Sequence, residues 1–125
     1  MRIRITAFDP ARRRVRFECV VGDAEATWAS APPVVGRDYH VELALDRCLV
    51  WGVDLAARAP GPDRVVGDEQ GLALDGSLEA MDDDGVATLR IGPALLLVET
   101  EGDAPAVGSP VRARVDDVRL YDARI

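Results

Sequence analysis

The chain has 125 residues, 48% of them hydrophobic and 30% charged, a composition that supports a folded globular unit and excludes a disordered segment. Its formal net charge is -7, and an acidic surface repels phosphate backbones, so nucleic acid is an unfavoured partner. All 15 basic residues are arginine, which excludes a Schiff-base lysine, a Walker-type phosphate loop and a lysine general base.

Ile3, Ile5 and Ala7 alternate with Arg2, Arg4 and Thr6. After Asp9-Pro10-Ala11, the series Val15, Phe17, Cys19 and Val21 alternates with Arg14, Arg16, Glu18 and Val20. Period two on both sides of a proline-bearing turn predicts a β-hairpin whose outer face carries arginines. A further strand is predicted over Ala24 to Ala29, closed by Ser30-Ala31-Pro32-Pro33. Tyr39, Val41, Leu43 and Leu45 then face inward and His40, Glu42, Ala44 and Asp46 outward, with Cys48 to Val53 continuing the sheet. Ala59-Pro60-Gly61-Pro62 and Gly67-Asp68-Glu69-Gln70-Gly71 break the pattern, so residues 54–71 read as a connection with one helical turn near Leu55 to Arg58. Strands resume at Leu72 to Met81 and return along Val86 to Ile91, and the intervening Asp82-Asp83-Asp84-Gly85 predicts a type I′ hairpin turn. Leu95 to Thr100, Val111 to Val115 and Val118 to Tyr121 complete an all-β chain of about ten short antiparallel strands, a small barrel or sandwich.

The longest apolar stretches, Pro93 to Val98 and Val15 to Val21, fall short of the roughly 20 residues of a membrane helix. Met1-Arg2-Ile3-Arg4 passes straight into alternation, with no secretory signal, and a cytoplasmic protein is expected. Cys19 and Cys48 lie in apolar strand patterns without a CxxC, which favours reduced core thiols over a disulfide or a metal site.

Two segments echo each other. Pro33-Val34-Val35-Gly36 returns as Pro105-Ala106-Val107-Gly108, and Asp46-Arg47-Cys48-Leu49-Val50-Trp51 as Asp116-Asp117-Val118-Arg119-Leu120-Tyr121. The glycines are 72 residues apart and Asp46 and Asp116 are 70 apart. A single compact domain over 1–125 is expected, with pseudo-repeat halves 1–53 and 72–125, because a half of about 60 residues buries too little surface to stand alone. Trp51 and Tyr121 then take equivalent positions, and with Trp28 and Tyr39 they are the expected packing anchors.

The order hairpin, strand, loop, glycine, strand, strand resembles small OB-like or TOBE-like barrels. The resemblance covers about 50 residues of the second half, through Leu74-Asp75-Gly76-Ser77-Leu78, Asp84-Gly85, Gly92-Pro93-Ala94-Leu95 and Val107-Gly108-Ser109-Pro110-Val111. It implies tandem halves that bind molybdate or a related oxyanion, with Gly36, Arg37, Gly108 and Ser109 as the candidate anion-binding residues.

Catalytic constellations are thin. His40 is the only histidine and reads as an exposed strand residue beside Glu42, while Ser30, Ser77 and Ser109 lack a nucleophile-elbow context. Asp82 to Gly85 lacks the spaced ligands and distal glutamate of a calcium loop and reads as a solvated hairpin tip. No enzyme, cofactor or metal site is expected.

Charge is unevenly placed. Residues 1–16 carry six arginines against Asp9 alone, net +5, which leaves -12 on the remainder. The chain therefore reads as a non-enzymatic acidic binding protein for another protein, an adaptor or immunity-like neutraliser. Its partner-binding candidates are Arg2, Arg4, Arg12, Arg13, Arg14, Arg16, His40, Glu42 and Asp46, with Glu99, Glu101, Asp116 and Asp117 as further acidic contacts. Small-anion or metabolite binding is the alternative, RNA or single-stranded DNA on the arginine hairpin a weaker one. A homo-oligomer is compatible with this reading, and no membrane partner is expected.

Overall fold

Alternating burial converts the sequence into twelve strands in the computed structural model, which describes residues 1–124. They are β1 (Arg2–Asp9), β2 (Arg14–Cys19), β3 (Gly22–Trp28), β4 (Asp38–Ala44), β5 (Leu49–Val50), β6 (Leu55–Ala57), β7 (Arg64–Asp68), β8 (Gly71–Met81), β9 (Val86–Ile91), β10 (Ala94–Glu101), β11 (Pro110–Val115) and β12 (Arg119–Asp122). The all-β class read from the sequence holds. No helix among the described residues is long and apolar enough to cross a membrane.

Two turns show how local chemistry sets the hairpins. Between β1 and β2, the Asp9 carboxylate accepts the N–H groups of Ala11 and Arg12, and Arg13 takes a left-handed φ of 52°. Between β8 and β9, Asp82 accepts the N–H groups of Asp84 and Val86, each at 2.9 Å, and Gly85 alone takes positive φ, at 87°. The expected type I′ turn, with positive φ at both central residues, is therefore replaced by a longer loop closed by one left-handed glycine. Asp82 stabilises that loop by taking up N–H groups the ladder leaves free.

The strands close two rings. β1 pairs antiparallel with β2 and β4, β2 with β3, and β4 with β12, while β12 runs parallel to β3, so β1-β2-β3-β12-β4 is a closed five-stranded barrel. The second ring uses the same pairings: β8 with β9 and β11, β9 with β10, β10 parallel to β5, and β6 antiparallel to β11. Its fifth member is broken into β5 and β6, joined by a bridge between Trp51 and Leu55. The strand completing the first barrel thus comes from the end of the chain, and the strand completing the second lies between β4 and β7. β7 pairs with both β3 and β8 and makes the ladder continuous.

The two rings share their register. Ile5 faces Phe17 and Leu78 faces Leu89, and each first strand has an irregularity directly afterwards, at Ile5/Ala7 and Leu78/Ala80. Arg2 faces His40 where Asp75 faces Arg112. Leu120 lies beside Trp28 where Leu49 lies beside Thr100, so Leu49 and Leu120 correspond. Trp51 and Tyr121 therefore do not occupy equivalent positions as expected. Trp51 is 7% exposed in the core, whereas Tyr121 lies on the outside of β12 opposite Glu42 at 38% exposure.

Residues 54–71 are more than a connection. Leu55–Ala57 is strand β6 instead of a helical turn, because its N–H and C=O groups complete the edge of β11, and Arg58 caps it by donating to the carbonyls of Val111 and Gly76, both at 3.1 Å. The interior is one connected cluster, with Ile3, Ile5, Phe17 and Trp28 in the first barrel and Leu74, Leu78, Leu89, Ile91 and Leu96 in the second. Trp28 is wholly buried, donates its indole N–H to the Ala31 carbonyl at 2.6 Å and meets the Tyr39 ring edge-on at 5.2 Å.

Exchanged fifth strands predict one cooperative unfolding transition. The single-tryptophan variants Trp28→Phe and Trp51→Phe, each retaining the reporter of the other barrel, should lose fluorescence at the same urea concentration as the circular-dichroism signal within each variant. Tryptophan and backbone signals that separate would show barrels unfolding independently.

Candidate functional site

The arginine hairpin is the first surface that the sequence singles out, and the fold engages all six of its side chains. Arg2 and Arg4 both hold Asp38 at 2.8 Å, which keeps that carboxyl below its ordinary range, Arg4 contributing most. Arg16 pairs with Asp23 at 2.7 Å and Glu25 at 3.4 Å, and Arg12 reaches Glu69 at 3.5 Å. Arg13 donates to the carbonyls of Trp28 and Ser30, tying the turn to the end of β3. Arg14 is the most enclosed: its side chain is 15% exposed, and it donates to Asp117 at 2.7 Å across the seam between β3 and the approach to β12. All six guanidinium groups are thus engaged within the protein, five by carboxylates and that of Arg13 by backbone carbonyls.

The candidate anion sites are likewise spent on architecture. Gly36 takes φ of 89° and Gly108 φ of 96°, and their N–H groups bond at 2.7 Å to the carbonyls of Ile5 and Leu78, the matching residues of the two first strands. The N–H of Arg37 bonds Val34 and that of Ser109 bonds Ala106. These four amides, expected to cradle an oxyanion, each have a backbone carbonyl partner within the protein. Arg37 is exposed and pairs with no carboxylate among the described residues.

His40 and Glu42 lie exposed on β4, as the alternation predicted, and Tyr121 joins them from β12. Ser30 accepts the Asp122 N–H at 2.8 Å and Ser109 belongs to the Gly108 turn, and among the described residues no hydrogen bond joins a serine to the His40 side chain. Asp46 is paired with Arg119 at 2.7 Å. Asp117 is held by Arg14 and by the Thr27 N–H and hydroxyl, so of the two neighbouring aspartates only Asp116 lacks an ion pair among the described residues.

Negative charge without internal compensation gathers at one end of the second barrel. Thr100 donates its N–H (2.8 Å) and its hydroxyl (2.7 Å) to the Gly85 carbonyl, which sets the Asp82–Gly85 loop beside the end of β10. Asp82, Asp83, Asp84, Glu99, Glu101 and Asp103 are exposed there, and among the described residues none has a cation within 4.0 Å. The Cys48 thiol is pushed up by burial, and Glu101 and Glu99 push it further, so this end disfavours a thiolate. Cys19 is raised mainly by burial, and both cysteines are free.

β10 also exposes Leu95 and Leu97, at 50% and 63%, between the inward Ala94, Leu96 and Val98. Sequence reading took Pro93 to Val98 as one apolar run and assigned it no surface. Apolar side chains on both faces of a strand hide the period-two signal that exposes such residues elsewhere. Compared with known proteins, the chain matches no family model, no curated protein and no solved structure.

Two ion pairs generate stability predictions. Removing Asp117 strips Arg14 of its 2.7 Å partner and leaves only Glu25 at 4.0 Å, while its Nε and second terminal nitrogen are already buried without a hydrogen bond. Asp117→Ala should cost about 3 kcal/mol in urea unfolding, with the slope unchanged. Asp75, 6% exposed, is gripped through both oxygens by Arg112 at 2.6 and 2.9 Å, which holds its carboxyl below the ordinary range in spite of burial. A carboxyl depressed on folding contributes stability above its unfolded pKa of about 3.9 and loses it as pH falls through the folded value. Asp75→Asn should therefore lower stability by about 2 kcal/mol at neutral pH and flatten the acid limb below about pH 5, both measured by unfolding across a pH series.

Proposed function

We propose that the chain is a non-enzymatic acidic binding protein whose partner is another protein with a basic surface, acting as an adaptor or neutraliser in the cytoplasm. One observation carries the reading: the carboxylates of Asp82, Asp83, Asp84, Glu99, Glu101 and Asp103 form a rim without a paired cation among the described residues, while the arginines of the first hairpin are spent internally. Uncompensated charge of one sign raises association rates with a partner of opposite sign and suppresses wrong partners. Leu95 and Leu97 beside that rim supply apolar contact area, which long-range charge alone lacks. Two free thiols without a disulfide fit the reducing compartment.

The test is a side-by-side affinity enrichment from the native cell with the unaltered protein and a variant in which the six carboxylates become Asn or Gln. At low salt the unaltered protein should retain a basic protein that the variant loses, and its association should slow about tenfold between 0.05 and 0.5 M salt, as screening predicts. Retention of the same proteins by both would overturn the reading.

A further inference from the structure

The two barrels differ at the seam between the third and fifth strands. In the first, Arg14 on β2 faces Thr27 on β3, and Asp117, just before β12, closes the seam: its carboxylate accepts the Thr27 N–H at 3.2 Å and Arg14 at 2.7 Å. Val118 anchors that segment, 1% exposed, its carbonyl accepting the same Thr27 N–H at 3.1 Å. By register, Val86 stands in the second barrel where Arg14 stands in the first, Glu99 where Thr27 stands, Leu97 where Glu25 stands, and Asp46 where Asp117 stands.

The seam is open there. Arg47 occupies the Val118 position but is exposed and turns to Asp54 at 3.1 Å, because a guanidinium is buried only where polar partners meet it, and the valine's place is apolar. Asp46 turns to Arg119. Among the described residues no backbone hydrogen bond joins β10 to residues 45–47, and the ladder with β5 begins only at Thr100. The result is a groove of about 340 Å³ between β10 and Leu45–Arg47, floored by Val86, Leu97 and Glu99. Glu99 has no cation within 4.0 Å.

We infer that this groove takes an arginine-bearing extended segment of a partner protein, whose guanidinium fills beside Glu99 and Asp46 the place that Arg14 fills in the first barrel. The inference rests on the reading of the chain as an acidic protein-binding module and names the site and the recognised chemistry. Arg14 shows the occupant: the same ring position, with a carboxylate across the seam, holds a guanidinium when one is available. Along β10 the outward residues run Glu99, Leu97, Leu95, so an extended segment with arginine at one position and apolar residues two and four places on matches charge to Glu99 and apolar side chains to the two leucines.

The experiment titrates the full chain with the capped peptide Arg-Thr-Val-Thr-Leu, with Glu-Thr-Val-Thr-Leu as control, following amide and methyl NMR shifts. The arginine peptide should move Val86, Leu97, Val98 and Glu99, and the glutamate peptide should not. Val86→Arg, which supplies the missing guanidinium from the protein's own β9, should weaken peptide binding at least about tenfold while the thermal midpoint is kept or raised. Glu99→Gln should weaken it about fivefold and serves as the test if the arginine variant does not fold. Shifts confined to Asp82–Asp84 and Asp103, or Val86→Arg binding as before, would overturn the groove while leaving the acidic-rim reading standing. No binding of the cationic peptide at all would overturn both. If the protein alone self-associates with the same residues shifted, the occupant is a second copy of the chain and the partner assignment falls.

Discussion

Every β-strand presents hydrogen-bonding groups along two edges, and a four-stranded half of this chain would leave the outer edges of its third and fourth strands open. Unpaired edges in water recruit other chains, and in an interior they forfeit hydrogen bonds. Each half here completes its ring with the last strand of the other, β12 with β3 and β4, and β5 and β6 with β10 and β11. The exchange closes both rings by pairings that cross the chain, so neither ring exists without the other half. Within one chain this achieves what domain swapping achieves between copies. The continuous hydrophobic cluster and the shared strand β7 follow from it.

Barrels built to one register allow their differences to be read as choices. In the first, positive charge is paired within the chain: six arginines meet its own aspartates, glutamates and carbonyls at the surface, and Arg14 with Asp117 seals the seam beside β3. In the second, a valine replaces that arginine, the sealing segment stands away from β10, and carboxylates collect at the open end. The cost of unpaired surface charge is small in water, and Leu95 and Leu97 lie exposed beside it.

Much of the fold was legible in the residues. Alternation placed β1, β2, β4, β9 and β11 because one face of each meets the core. The helical turn assigned to Leu55–Arg58 failed because three residues carry too little periodicity to outweigh pairing with β11. The type I′ turn failed because Asp82 could cap the loop with its side chain. The positive φ of Gly36 and Gly108 serves the return of the chain onto Ile5 and Leu78, and a glycine kept for turning is indistinguishable in sequence from one kept for a ligand. Of the candidate site, the acidic character of Glu99 and Glu101 was visible, but the groove beside them was not.

The all-β class, the inward and outward faces, the surplus of carboxylates and the grouping of arginines on one hairpin are all written in the residues, since they depend on the local period of apolar and charged side chains. Which barrel each fifth strand closes, the pairing of the arginines within the chain and the open second seam arise only in the folded molecule. Those outcomes depend on partners far apart in the chain, Arg14 with Asp117 and Leu49 with Thr100, and a strand's alternation states which face is buried without stating which edge it will meet.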